Sequence, residues 1–132
     1  MTMKRRAFLT GLLAATGLIA APARARALRH LVIQESLVAG FQYHDGPAVF
    51  GRITVGQRID LVREADNRFD RRAVRLDWQS HTLGYLPRIE NTAVAQMLDR
   101  GERLTATISD RREDGAPWQR LVVRVTRSES LA

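Results

Sequence analysis

The sequence contains no cysteine among its 132 residues. A disulfide framework, a thiolate metal site and a lipoprotein attachment point are therefore excluded. Aromatic residues are scarce, at 6% of the chain, and no internal repeat or low-complexity tract is present. A chain of this length and composition supports one domain with a single small core.

The sequence also lacks a recognisable catalytic motif. It has no nucleophile elbow, no zinc-protease motif and no phosphate-binding glycine loop. Its three histidines, His30, His44 and His81, are isolated and match no metal-ligand spacing. We therefore expect no enzyme activity, no metal and no cofactor.

The excess of positive charge is smaller than the formal net charge of +7 suggests. Five of the 21 basic residues lie in residues 1–27, which contain no acid. The other 16 basic residues are balanced by 14 acidic ones, so residues 28–132 carry a net charge of only +2. Attraction to phosphate must then come from local clusters of arginine rather than from a strongly basic whole.

Residues 1–27 have the pattern of a twin-arginine signal peptide. The pair Arg5-Arg6 precedes Phe-Leu, and the apolar run that follows is too short to span a bilayer comfortably. We predict cleavage after Ala27, with the alanines two and four residues earlier as alternatives. The predicted product is a bacterial protein, periplasmic or secreted, with no stable membrane anchor. An ordinary secretory signal or an uncleaved anchor is the alternative.

Hydrophobic alternation predicts six short strands after this leader. The first strand is long and bends at Val38-Ala39-Gly40, where glycine allows the bend. Gln79-Ser80 predicts a tight hairpin between the third and fourth strands. The predicted strands are residues 28–43, 58–64, 73–78, 82–86, 103–111 and 118–126.

One amphipathic helix is predicted over residues 90–100, with Asn91 able to cap its start and Gly101 ending it. Residues 48–53 are an apolar segment that the pattern does not assign, and residues 128–132 are expected to form a loose tail. Six strands and one helix predict a small, mainly β barrel, because closing the sheet removes exposed edges.

The segment Asp66-Asn67-Arg68-Phe69-Asp70 lies between the second and third predicted strands. Asn and Asp side chains bond to nearby backbone and tolerate unusual dihedral angles, so this segment predicts a rigid loop. Such a loop can hold the aromatic ring of Phe69 and the carboxylate of Asp70 in a fixed relation. Arg71 and Arg72 follow it, and are either phosphate contacts or part of a solvated face.

Four blocks stand out along the chain: Val38-Ala39-Gly40, Tyr43, residues 61–74 (LVREADNRFDRRAV) and residues 83–88 (LGYLPR). In this order they resemble the signature blocks of the HIRAN domain family. The resemblance covers residues 36–126 and implies a β-barrel related to the OB-fold. Combined with the predicted elements, it gives an OB-like six-stranded β-barrel with one α-helix, placed at residues 28–127.

HIRAN domains are often fused to DNA-remodelling helicases and nucleases, and the best-understood member binds the 3′-hydroxyl end of single-stranded DNA. By this resemblance, Tyr43 and Phe69 match aromatics that sandwich the terminal bases. Asp70 matches the carboxylate that accepts a hydrogen bond from the 3′ hydroxyl. Arg88 matches a basic position near the terminal phosphates, and Tyr85 lies in the same block.

Gln42 departs from the family pattern, because the DNA-binding member has an arginine at this position. Glutamine can bond a phosphate oxygen but brings no charge, so a lower and less salt-dependent affinity is expected. Structural roles are the alternative for the other candidates: Asp70 capping its own turn, Phe69 plugging the barrel end and Tyr43 half buried in a strand. Trp78 and Trp118 are expected to be packing residues.

Two functions remain open at this stage. The first is a monomeric module that binds single-stranded nucleic acid, with the 3′-hydroxyl end of DNA as its target. The alternative is an exported module that keeps the fold, has lost DNA binding and meets a protein partner in the cell envelope. In the family, catalytic activity resides in fused domains that this sequence does not contain, so neither function is enzymatic.

Overall fold

Six antiparallel strands form one sheet in the order β1-β6-β5-β2-β3-β4. The computed structural model describes residues 28–130, so the predicted leader and its cleavage site lie outside the described residues. The strands are β1 (Leu28–Leu37), β2 (Arg58–Glu64), β3 (Ala73–Trp78), β4 (His81–Tyr85), β5 (Leu104–Arg111) and β6 (Leu121–Ser130). The predicted mainly β fold with six strands is confirmed.

Two α-helices accompany the sheet within residues 28–130. The predicted helix is present as α2 (Thr92–Asp99). A second, four-residue helix, α1 (Gly46–Val49), was not predicted and ends inside the unassigned segment 48–53. Single 3₁₀ turns are formed by Phe41–Tyr43, Phe50–Arg52, Arg88–Glu90 and Pro117–Gln119. Within residues 28–130, no helix has the length and apolar character needed to cross a membrane.

The C-terminal ends of β1 and β6 differ from the sequence prediction. β1 stops at Leu37 and not at Tyr43, because Gly40 adopts a φ of 75° and turns the chain into a 3₁₀ turn that buries Phe41. The predicted tail is wrong for Ser128–Ser130, which belong to β6 and pair with the first residues of β1.

The two edge strands of the sheet meet at one point. No ladder joins β1 to β4, so the strands do not close into a continuous barrel. Ala39, just beyond β1, instead forms a single bridge with Tyr85 at the end of β4, through two backbone hydrogen bonds of 2.9 Å. This nearly closed sheet is consistent with an OB-like fold.

Gly84 makes that bridge possible. Its φ is 149°, and a Cβ at this position would lie 2.3 Å from the carbonyl oxygen of Ala39. Only glycine brings the two backbones this close without displacing one of them.

The hydrophobic core lies inside the curled sheet. Ile59 of β2, Leu76 of β3, Ile108 of β5 and Val123 of β6 are all buried. Val94 and Ala95 add the buried side of α2. Trp78 is buried as expected, and its indole N–H donates to Gln57 Oε1 at 2.9 Å.

Gly84→Ala should destabilise the fold by about 2 kcal/mol or more, because it combines backbone strain with a steric clash against Ala39. Urea unfolding of the variant measures this directly. Gly51→Ala is the matched control, since a Cβ there meets nothing within 4 Å. Equal stability of the two variants would show that the Ala39–Tyr85 bridge does not need glycine.

Candidate nucleic-acid interface

The loop between β2 and β3 is ordered by its own side chains. Asn67 Oδ1 accepts hydrogen bonds from the backbone N–H groups of Phe69 and Asp70, at 2.9 and 3.0 Å. Asp70 Oδ1 in turn accepts from the backbone N–H of Arg72 at 2.9 Å. These consecutive side-chain turns fix the backbone on both sides of Phe69, as the composition of the loop predicted.

Glu64, the last residue of β2, ties this loop to the sheet. Its Oε1 accepts hydrogen bonds from Tyr85 Oη at 2.8 Å and from Asn67 Nδ2 at 3.0 Å. Its Oε2 accepts from Arg75 Nη1 at 2.7 Å. The Arg75 guanidinium also forms two 3.0 Å hydrogen bonds with Asp77. One carboxylate thus joins β2, β3, β4 and the loop.

These contacts shift the pKa values of the network. Partial burial by itself raises the pKa of Glu64, but hydrogen bonds from Asn67, Tyr85 and Arg75 together lower it below its ordinary value. The pKa of the Tyr85 hydroxyl is raised, first by burial and then by its hydrogen bond to Glu64. Ionised Glu64 and protonated Tyr85 therefore stabilise each other.

A second anchor comes from the start of α2. Asn91 is fully buried, and its Nδ2 donates to Asp70 Oδ2 at 2.7 Å. Asn91 holds the predicted N-cap position, but its side chain makes no capping hydrogen bond. Each Asp70 oxygen therefore has one partner, which fixes the carboxylate and leaves further lone pairs available, since a carboxylate can accept about four hydrogen bonds.

The loop borders two adjoining cavities, of about 620 and 470 Å³. Both are lined by Asn67, Phe69, Asp70 and Arg88. The Phe69 side chain is 85% exposed, so it does not plug the fold from within. We call the combined depression the end cleft. An exposed ring and a fixed acid share one open space.

Positive charge is concentrated at the end cleft. The larger cavity is lined by four arginines and two aspartates. None of these arginines forms an ion pair with another residue between positions 28 and 130. They are Arg68, Arg71, Arg72 and Arg88. The cluster supplies the local positive charge that the net charge of +2 over residues 28–132 does not provide.

The remaining candidates lie at different depths. Tyr85 lines the smaller cavity, with its hydroxyl group already bonded to Glu64. Tyr43 is 81% exposed and lines neither cavity. The next residue, His44, lines the smaller cavity, and its ring centroid lies 5.6 Å from that of Tyr85. Gln42 lines neither cavity, and its Oε1 is buried without a hydrogen-bond partner among residues 28–130.

Sequence reasoning missed two residues that shape the site. Glu64 appeared only as the end of a strand, and Asn91 only as a helix cap. Each contacts a residue 21 positions away, Tyr85 and Asp70 respectively. A spacing that long carries no periodic signal in the sequence. Trp118 was expected to pack inside, yet it is 53% exposed.

The comparisons with known proteins settle the family. The HIRAN domain model matches residues 32–128. The chain belongs to the HIRAN domain family. No curated protein gives a significant match to it.

Two solved structures resemble this HIRAN domain. One is a protein from Lactobacillus plantarum, with 27% identity and a TM-score of 0.67 over 78% of this chain and 99% of the other. The second is the HIRAN domain of human HLTF, with 14% identity and a TM-score of 0.58 over 76% of this chain and 80% of the other. At 14% identity the likeness shows a shared fold.

Candidate metal ligands do not cluster within residues 28–130. His81 lies 3.4 Å from Asp45 and stacks on Trp78, and His44 packs near Tyr85. These two histidines thus contact neighbouring side chains.

Glu64→Gln tests the anchor of the loop. The pKa of Glu64 is lower in the folded state than in the unfolded state, where it is about 4.3. Ionised Glu64 therefore contributes fully to stability above about pH 4.3, and this contribution is lost as the pH falls through the folded-state pKa. We expect the variant to be about 1–2 kcal/mol less stable at pH 7, with this deficit shrinking below about pH 4. Urea unfolding across this pH range provides the measurement.

The control for this experiment is Glu90→Gln, which changes an exposed glutamate without an ion-pair partner in the described part of the chain. It should leave the stability nearly unchanged at every pH. If the loss of stability caused by Glu64→Gln stays constant down to pH 3, the stabilising role of the Glu64 charge is contradicted.

Proposed function

We propose that this HIRAN domain binds single-stranded DNA at its 3′-hydroxyl end. Family membership supports a nucleic-acid-binding module, and the end cleft supports the finer assignment. The observation that carries it is the pairing of exposed Phe69 with Asp70, both fixed by the Asn67 turn, in a cleft lined by arginine.

Phe69 supplies the stacking surface. A base placed on an aromatic ring contributes about 1–3 kcal/mol to binding and does so for every base. Because the Asn67 hydrogen bonds already order the backbone at Phe69, little further entropy is lost when a base stacks there. Recognition of this kind reads an end of the strand rather than its sequence.

Asp70 supplies the selectivity for a hydroxyl group. An ionised carboxylate only accepts hydrogen bonds, so its free lone pairs suit a 3′ hydroxyl and repel a 3′ phosphate. Asn91 and the backbone of Arg72 hold the carboxylate in place before the ligand arrives. Such preorganisation strengthens an interaction without requiring new contacts.

The arginines of the end cleft suit the phosphates that precede the terminal nucleotide. Arg88 lines both cavities and is therefore best placed to contact the last phosphate. Tyr43, exposed beside His44, would stack the next base, and Gln42 would add an uncharged contact. Tyr85 supports the wall of the cleft, since Glu64 already uses its hydroxyl group. We propose that the module works as a monomer, without metal, cofactor or catalysis.

Fluorescence anisotropy with oligonucleotides ending in a 3′ hydroxyl or a 3′ phosphate tests this function. Wild-type protein should bind the 3′-hydroxyl oligonucleotide about 10-fold or more tightly than the 3′-phosphate one. This ratio corresponds to the free energy of one hydrogen bond to a charged group. Asp70→Ala should abolish the preference. Phe69→Ala should weaken binding to both ends by about 5-fold or more and keep the preference, because a base loses its stacking partner.

Asp114→Ala, an exposed acid in the β5–β6 turn, is the matched control and should behave as wild type. Circular dichroism checks that the Asp70 variant folds, and the exposed Phe69 provides an independent variant if it does not. Equal affinity of the wild type for both ends would refute end recognition. No binding at all would favour the alternative of an exported protein-interaction module.

We also propose export by the twin-arginine route, with cleavage after Ala27, on the basis of the N-terminal sequence. DNA that is extracellular or entering the cell is then the ligand within reach. Replacing Arg5 and Arg6 with lysine should retain the precursor in the cytoplasm. Cell fractionation with immunoblotting measures this, and mass spectrometry of the exported protein gives the cleavage site. Unchanged export of the lysine variant would indicate the general secretory route instead.

A further inference from the structure

A second exposed aromatic surface lies beside the Tyr43 turn. Cα atoms of the turn Pro117–Gln119 come within 8 Å of those of the turn Phe41–Tyr43. Trp118 at the centre of the first turn is 53% exposed. The protein's other tryptophan, Trp78, is buried with its N–H bonded to Gln57. Trp118 is therefore the tryptophan whose ring can meet a ligand.

Two guanidinium groups lie next to this turn on the ring of Phe50. Arg111 lies 4.0 Å from the ring centroid and donates to the Phe50 carbonyl oxygen at 3.2 Å. Arg120, directly after the turn, lies 5.3 Å from the same ring. Phe50 contacts the buried ring of Phe41 edge-on at 6.0 Å, which fixes it to the core. We call Phe50, Arg111, Trp118 and Arg120 the Trp118 surface.

Charge is largely balanced on the Trp118 surface. Arg111 is paired with Glu113, and the neighbouring Arg112 is paired with Asp110. Arg120 donates to the Gly115 carbonyl oxygen and forms no ion pair with a residue from 28 to 130. An exposed indole, on a surface where one guanidinium lies outside any ion pair, favours stacking of uncharged rings more than attraction of phosphates.

We infer that the Trp118 surface stacks bases on the 5′ side of the nucleotides held in the end cleft. This inference rests on the proposed function, which it extends from a terminal site to a longer binding track. Phe69, Tyr43 and Trp118 are all exposed. His44, next to Tyr43, lines a cavity with Phe69, and the Tyr43 turn lies within 8 Å, Cα to Cα, of the turn that carries Trp118. A single strand whose 3′ end occupies the end cleft would pass the Tyr43 turn and reach the Trp118 surface.

The test compares oligothymidylates of two and eight nucleotides, each with a 3′ hydroxyl or a 3′ phosphate, by fluorescence anisotropy. In wild-type protein the longer strand should bind more tightly. Trp118→Ala should reduce the affinity gained with the longer strand by about 5-fold or more, which is the contribution of one stacked base. It should leave the preference for the 3′ hydroxyl unchanged. Trp118→Phe should keep most of the gain, because a smaller aromatic ring still stacks.

Salt provides a second readout. The loss caused by Trp118→Ala should persist at high salt, because stacking is not screened, whereas a lost phosphate contact would matter less as salt rises. Val55→Ala, which shortens an exposed apolar side chain in another turn, is the control and should bind as wild type.

The outcomes separate this inference from the proposed function. An unchanged length gain in Trp118→Ala, with normal preference for the 3′ hydroxyl, overturns the inference and keeps the end cleft. A length gain that depends on Trp118, without any preference between the two ends, supports the stacking track and refutes end recognition. Absence of wild-type binding to both lengths overturns both proposals.

Discussion

Hydrogen bonding of Asn67 is the constraint on which the candidate site depends. Its side-chain oxygen holds the backbone on both sides of Phe69, and its nitrogen binds Glu64. A large apolar ring could otherwise gain free energy by folding back onto the core, since burying it removes apolar area from water. Because the backbone is held, Phe69 remains in solvent beside an acid. The exposed ring is thus a consequence of polar bonds elsewhere in the loop.

Near-closure of the sheet positions the residues that form the other walls of the end cleft. A continuous ladder between β1 and β4 would cover the edge where His44 and Tyr85 now line a cavity. A single bridge at Ala39 instead joins the edges and releases the chain at Gly40 into the Tyr43 turn. One pair of backbone hydrogen bonds thus joins the two edges of the sheet and leaves the neighbouring cavity open.

The distribution of charge explains how residues 28–132, with a net charge of only +2, can suit a polyanion. Elsewhere on the surface, arginines such as Arg75, Arg124 and Arg127 are paired with acids. The arginines around the DNRFD loop are not paired within residues 28–130. Long-range attraction should therefore be weak, and contacts within the cleft should dominate affinity. Such a pattern is what the proposed recognition of strand ends requires.

The sequence by itself determined the local features: six strands by alternation, α2 by its apolar spacing, and a rigid DNRFD loop by the chemistry of Asn and Asp. It overextended β1 and missed α1, because the φ of Gly40 and the packing of Gly46 against Phe41 depend on neighbours in space. Only the tertiary structure decided that Asn91 would hold Asp70 and that Trp118 would stay exposed. Contacts between residues far apart in the chain follow from how elements pack, and no local pattern encodes them.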